Sequence, residues 1–364
     1  MNYYHHFSIL LIAFVASILV FGNIDQVFDS IFAQTQEDSE DLIYPYAVLH
    51  KIELSVQKIE KSGGGGDLYG YQLDQHLLFN SNTGEFLNNI TKKYSPEPTI
   101  PGPPLLIEEG DSVELTLKNP DNTGAPGMVS IHVHGIHYSI ASDGTLGMLN
   151  GLRDEGVKPG QSIKYHWTAG PGTAGTWPYH DHTLGLSLGH SNAPGTNMNG
   201  AETIGLFGTL VIDSPTGKTV GLIDGKPTKI EIADISKDIL CYVTDDAFWC
   251  NQIDYKNNAI RTALWENPTI GLKDGDLVRF HLYGMGTDFH IFELTGYQWL
   301  EPGTTNIISK KKFGPLENHV FTIEGKNGVA EYRDILTSHL LSGMKGEFIV
   351  DSVGESFPGK SPSN

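Results

Sequence analysis

The chain carries the same pattern twice, and that constrains its fold more than any other feature. Glu108-Glu109-Gly110-Asp111-Ser112-Val113 is matched by Lys273-Asp274-Gly275-Asp276-Leu277-Val278. Gly205-Leu206-Phe207-Gly208-Thr209-Leu210-Val211-Ile212-Asp213 is matched by Gly343-Met344-Lys345-Gly346-Glu347-Phe348-Ile349-Val350-Asp351. The first pair lies early in each half and the second closes it, so two homologous domains are expected, at 41–217 and 228–352, with a boundary near Ser214 to Pro227. Ser112 to Leu117 and Val278 to Leu282 alternate polar and apolar residues, the period of a half-buried strand. No long amphipathic helix is visible from Asp41 onward. The 42 glycines and 19 prolines, with 15 tyrosines and 16 phenylalanines, suit short strands and tight turns. The expectation is an all-β chain of two tandem β-sandwiches. Gly63 to Gly66 reads as a turn or hairpin tip, and residues 353–364 as a loose tail.

The charge narrows the partners. Lys and Arg total 24 against 43 Asp and Glu, a formal net charge of −19. Such a surface repels phosphate backbones and argues against nucleic acid. Phe7 to Gly22 is an apolar run broken only by Ser8 and Ser17. It is shorter than the ~20 residues a membrane span needs, so residues 1–34 read as a signal peptide or an N-terminal anchor, with Phe32-Ala33-Gln34 as a cleavage point. The mature chain is then extracytoplasmic, secreted or tethered to the cell surface. In an exported chain Cys241 and Cys250 are expected to form a disulfide, the alternative being two free thiols.

Six of the 15 histidines lie between His132 and His182. Four form the pairs His132-Val133-His134 and His180-Asp181-His182. In a strand, residues i and i+2 face the same way, so each pair aims two imidazoles at one place and turns Val133 and Asp181 aside. Two such strands make a four-imidazole set suited to copper, with zinc not excluded. In the second half, His290, His339 and Met344 form a soft nitrogen and thioether set, three of the four ligand types of a blue-copper site.

These motifs resemble the two-domain multicopper oxidases of the small laccase type. Pro101-Gly102-Pro103, the Glu-Gly-Asp strand start, His132-Val133-His134-Gly135, Ser142-Asp143-Gly144 and Trp177-Pro178-Tyr179-His180-Asp181-His182 carry the likeness, which extends from about Ile43 to Val353. It implies two cupredoxin-like Greek-key β-sandwich domains, a homotrimer, and a copper cluster between subunits fed with electrons by a mononuclear copper. On this resemblance His132, His134, His180 and His182 match cluster ligands. His290, His339 and Met344 match mononuclear-site ligands.

The second half departs from the pattern. His-x-x-His-x-His-Gly here reads His290, Glu293, Thr295, Gly296, and His-Cys-His reads Arg333-Asp334-Ile335. Four cluster histidines and the copper-binding cysteine are thus replaced. Asp334 stands where the thiolate would be, an oxygen donor to a His, His, Asp, Met site without intense blue colour. Arg333 puts positive charge where a metal-bound imidazole is expected, which repels a cation. Glu293 either pairs with Arg333 or faces the domain 1 cluster as an oxygen donor. Asp143 resembles an acidic residue beside the cluster. The implied activity is an oxidoreductase taking electrons from a small-molecule or protein donor, with oxygen or a nitrogen oxide as acceptor. The alternative is a copper carrier, buffer or sensor on a degenerate oxidase scaffold.

Overall fold

The computed structural model describes residues 47–59, 68–121, 127–145, 156–183, 204–263 and 266–354. The expected N-terminal segment, the Gly63 to Gly66 turn and most of the C-terminal tail lie outside the described residues.

The first half holds β1 (Val48–Ile59), β2 (Leu68–Asn80), β3 (Phe86–Asn89), β4 (Leu105–Glu108), β5 (Ser112–Asn119), β6 (His132–Val133), β7 (His137–Tyr138), β8 (Gln161–Thr168), β9 (Gly175–His180) and β10 (Phe207–Asp213). They form a six-stranded sheet, β3-β2-β1-β5-β8-β7, and a four-stranded sheet, β4-β10-β9-β6. β5 alternates as its sequence dictates, with Val113, Leu115 and Leu117 buried. These residues pack with Ile52, Leu54, Tyr165, Trp167, Tyr179 and Leu210 in the core between the two sheets.

The second half continues with β11 (Lys218–Ile223), β12 (Lys226–Glu231), β13 (Lys237–Val243), β14 (Phe248–Asp254), β15 (Ala259–Thr262), β16 (Ile270–Lys273) and β17 (Leu277–Gly284). It ends with β18 (His290–Leu294), β19 (Trp299–Leu300), β20 (Ile307–Ile308), β21 (Lys310–Phe313), β22 (Asn318–Glu324), β23 (Gly328–Asp334), the helix α1 (Thr337–Ser342) and β24 (Lys345–Asp351). A seven-stranded sheet, β12-β11-β22-β17-β13-β14-β15, faces a five-stranded one, β16-β24-β23-β18-β21. The duplicated segments fall on corresponding strands: β10 pairs in parallel with β4, as β24 does with β16. The chain is therefore all-β, built as two tandem cupredoxin-like sandwiches. The segment read as a boundary is not a bare linker. It contains β11, whose Leu222 pairs with Ile323 of β22.

β17 departs from the half-buried expectation, because Val278 to Gly284 are all buried. One face packs into the second core through Val278, Phe280 and Leu282. The other meets the first sandwich. Arg279 bonds Asp238 through Nε (2.9 Å) and one terminal nitrogen (2.6 Å), and Asp213 at the end of β10 through the other (2.8 Å). Thr176 Oγ1 and His281 Nδ1 share a 2.8 Å hydrogen bond. Around these polar ties Phe207 and Val211 of the first half pack with Leu240, Tyr242, Ile253, Tyr283 and Met285 of the second. Alternation misled here because a strand covered on both faces buries its polar residues too, provided they are paired. Cys241 and Cys250 lie opposite each other on β13 and β14 and are joined as a disulfide, with Cα atoms 4.3 Å apart.

Candidate metal centres

The first centre grows from the pairing of β6 with β9, which sets His132 opposite His180 and Val133 opposite Tyr179. Val133 and Tyr179 go to the core, so both histidines take the other face. His134 sits one residue beyond the end of β6 and His182 two residues beyond the end of β9. They are held by the His134 N–H to Pro178 O bond (3.1 Å) and by Ser130 Oγ, which accepts the His182 N–H (3.1 Å). The expectation of two regular strands is corrected in this respect: the strand ends, not the strand middles, carry two of the four imidazoles. Asp181 turns away as expected. Its carboxylate is buried and accepts the Ser130 N–H (2.7 Å), the Thr183 N–H (3.0 Å) and the Thr183 hydroxyl.

The four rings form a rhombus. His132 lies 4.8 Å from His134, 5.6 Å from His180 and 5.5 Å from His182 between centroids, while His180 lies 5.4 Å from His134 and 5.6 Å from His182. His132 and His180 occupy the middle, with His134 and His182 at the far corners. His132 Nδ1 donates to Asp143 O (2.6 Å), with Asp143 Oδ1 3.3 Å away, and His180 Nδ1 donates to Asp181 O (3.0 Å). Fixing Nδ1–H in this way frees Nε2 as a donor atom toward a metal. His134 Nε2 and His180 Nε2 are 3.2 Å apart.

Burial, reinforced by the neighbouring rings, holds His134 and His182 down to about 4 and His180 well below the usual imidazole range. Three of the four imidazoles are thus neutral at pH 7, the protonation state a metal ion needs. Asp143 is anchored in turn by the Thr145 hydroxyl.

Tyr138 is a residue the sequence reading passed over. Its ring stands edge-on to His132 at 6.1 Å, and burial followed by the Asp143 carboxylate pushes its hydroxyl up to about 12. Trp177 was quoted only as part of a motif, yet its ring lies against Gly135, beside His134. The signal for both is position, within a few residues of a ligand pair. His137 and His166 are exposed, and His281 and His319 are buried and hydrogen-bonded elsewhere. Met285 is core. His190, Met148 and Met198 lie outside the described residues.

The second centre holds His290 at the start of β18, Asp334 at the end of β23 and His339 on α1. Asp334 Oδ2 lies 2.8 Å from His290 Nδ1 and 2.6 Å from His339 Nδ1, and Oδ1 accepts the Ile291 and Leu336 N–H groups at 3.0 and 2.9 Å. Burial alone would raise this carboxyl, but these four donors hold it at about 2. The carboxylate oxygen stands between both imidazoles. Among the described residues this is the one trio of such side chains whose ligand atoms all lie within 4.8 Å of one another. His290 Nε2 is buried without a partner. Met344 is fully buried, and its backbone bonds both His339 O and the Asp334 N–H. The donor set fits a metal ion, and it is equally satisfied as a hydrogen-bonded clamp.

The four positions where the resemblance expects histidines are occupied otherwise. Glu293 pairs with Arg333 through Nε (2.8 Å) and a terminal nitrogen (2.7 Å), and with Lys310 at 3.3 Å. Glu331 bridges Arg333 (3.3 Å) and Lys345 (3.0 Å). The register is the cause: Glu293 faces Lys310 across β21 and Arg333 across β23, and Arg333 faces Lys345 across β24. Thr295 Oγ1 accepts the Glu331 N–H at 2.8 Å. Of the alternatives for Glu293, pairing with Arg333 is the one observed. Its bonded partners are these cations, and none is one of the four histidines.

A family model described as multicopper oxidase matches residues 91–217. A Kuenenia stuttgartiensis protein described as a probable nitrite reductase-hydroxylamine oxidoreductase fusion is 27% identical over 270 residues, covering 70% of this chain and 28% of that one. Laccase 1 of Metarhizium acridum is 39% identical over 85 residues, covering 23% and 12%. This chain thus spans well under a third of either relative. Among solved structures, the blue copper oxidase from Nitrosomonas europaea superposes with a TM-score of 0.52 at 17% identity, covering 82% of this chain and 85% of that one. The fold is cupredoxin-like, and the relatives imply copper as the cofactor for a donor set of this kind. More narrowly, residues 91–217 match the multicopper oxidase model, and the chain is similar to laccases and to multicopper oxidase structures, while its second half differs at several positions where that resemblance expects histidine or cysteine.

Proposed function

We propose that this chain is an exported copper oxidoreductase whose reactive metal is held by His132, His134, His180 and His182. It takes electrons from a small-molecule or protein donor and delivers them to oxygen or a small nitrogen oxide. The observation that carries this reading is the rhombus of four imidazoles, two of them fixed at Nδ1 by backbone carbonyls. Copper bound there supplies one-electron redox chemistry and Lewis acidity. Asp143 orients His132, and Tyr138 and Asp143 stand ready to hold or pass a proton beside it. His290, Asp334, His339 and Met344 form a second, weaker site with a hard oxygen in place of thiolate, which gives no intense blue band. In a homotrimer, Glu293, Thr295, Arg333 and Ile335 of a second copy would bring no imidazole to the cluster, so the four histidines hold about one or two ions rather than three.

The second reading is a surface copper carrier, buffer or sensor, with the N-terminal segment as tether. It is favoured by the loss of the cysteine wire at Asp334. Metal content after copper loading and dialysis, read by elemental mass spectrometry, tests the site. About two copper equivalents are expected, with at least one lost in the double variant His132→Ala/His180→Ala and the weaker one lost in His339→Ala. Unchanged content in the double variant refutes the four-histidine centre. Oxygen or nitrite consumption with an electron donor then separates enzyme from carrier.

A further inference from the structure

Asn89-Ile90-Thr91 is the one Asn-x-Ser/Thr motif of the sequence whose middle residue is not proline. Neither metal centre uses it. It begins on the last residue of β3, and β3 is an edge of the six-stranded sheet, paired with β2 alone. All four residues of β3 are exposed.

The motif is held so that one atom is left over. Asn89 Oδ1 accepts the Thr91 N–H at 3.0 Å, which turns the chain out of the strand and into the short 3-10 turn Thr91–Lys93. The other two residues are tied to β2. The Ile90 N–H bonds His76 O at 3.0 Å, and Thr91 Oγ1 accepts the His76 N–H at 2.9 Å. Thr91 therefore keeps its own hydroxyl hydrogen to donate. Asn89 Nδ2, on an exposed residue, has no hydrogen-bond partner among the described residues. The oxygen of this amide shapes the turn, and its nitrogen has no structural task.

The strand that carries it is a hazard in water. β3 reads Phe-Leu-Asn-Asn, with neither a charge nor a proline, and Phe86 and Leu87 are 54% and 46% exposed. An open edge of this kind is a template for pairing with another chain. The opposite edge, β7, is only two residues long. A bulky hydrophilic group bonded at Asn89 would stand over the longer edge and keep a second chain away.

We propose that Asn89 is an N-glycosylation acceptor and that its glycan shields the β3 edge from self-association. The proposal rests on the reading of the chain as exported, because the motif is an acceptor only in an exported chain. In the step, Asn89 Nδ2 bonds to the anomeric carbon of a lipid-linked sugar phosphate. The bond from that carbon to the phosphate oxygen breaks, the phosphate leaves with the electron pair, and Nδ2 loses one proton.

The test uses the full chain with its own N-terminal segment, secreted from a host that glycosylates exported proteins. Peptide mass spectrometry should find sugar on Asn89 in the wild type and in Thr91→Ser, which keeps the motif, and none in Asn89→Gln. A secreted wild-type chain with unmodified Asn89 overturns the proposal. A chain that stays in the cell with residues 1–34 attached shows instead that the export reading has failed, and the proposal falls with it. Sedimentation then reads the shielding. Self-association should tighten roughly ten-fold or more when the glycan is removed enzymatically or by Asn89→Gln. Adding Phe86→Lys to Asn89→Gln should reverse it. Equal association of the glycosylated and bare chains overturns the shielding role.

Discussion

At the scale of single residues, the buried pair His50 and His76 shows how little freedom a satisfied polar chain has. Tyr94 bonds His76 Nδ1 (3.3 Å), His76 Nε2 meets His50 Nδ1 (2.9 Å), and His50 Nε2 meets Asp111 (3.0 Å). Burial, then His50, lowers His76 to about 3. The unfolded chain takes up a proton near 6.5 while the folded chain refuses it. Stability from this group is therefore complete above pH 6.5 and lost progressively as pH falls toward 3, by up to about 5 kcal/mol. Urea midpoints at pH 7 and pH 5 should differ more in the wild-type chain than in His76→Gln; equal differences would remove His76 as the cause. Single residues were also where the sequence was most legible. The i, i+2 histidine pairs declared their common face without any knowledge of the fold. The pairing of Glu293 with Arg333 was visible only as one of two options, because it depends on how β18 registers against β23.

At the scale of elements, the centre depends on two very short strands and the turn after them. Gly135 has φ +67°, a conformation costly for residues with a Cβ, and the Trp177 ring fills the space a side chain would need. Gly135→Ala should cost about 2–4 kcal/mol through strain and overpacking, and it should weaken copper retention, because His134 cannot move independently of its neighbour. Thermal melts and copper content of the variant check both; a melt unchanged within error would show that the ring moves aside freely. The element level also explains a misreading. Alternation in β17 correctly gave a strand, but not that Arg279 and His281 are buried, since local sequence carries no record of a second sheet packing on the outer face.

At the scale of the whole molecule, duplication in the sequence was sufficient to foresee two sandwiches of one kind. It could not foresee the seam between them. Arg279 joins Asp213 of the first half to Asp238 of the second, and Asp238 has no exposed surface. Arg279→Met would leave that carboxylate buried with only the Tyr255 hydroxyl and the more distant His281 as partners. A loss of about 3–5 kcal/mol is expected, and urea unfolding should broaden or split as the two halves uncouple. A single transition at the wild-type midpoint would show that the apolar seam alone couples them.

The row of charges from Lys310 through Glu293 and Arg333 to Lys345 bears on the history open to this protein. Glu293 is shared by Lys310 and Arg333, and Glu331 by Arg333 and Lys345, so a lone Glu293→His change takes from Lys310 its carboxylate and leaves Arg333 with Glu331 alone, and a lone Arg333→His change leaves Glu293 with Lys310 alone. Neighbours coupled in this way do not change additively. A single step toward a fuller ligand set at Glu293 or Arg333 therefore begins with a loss, and the lattice resists it. A lattice of this kind makes the second half easier to refine as it stands than to convert one residue at a time.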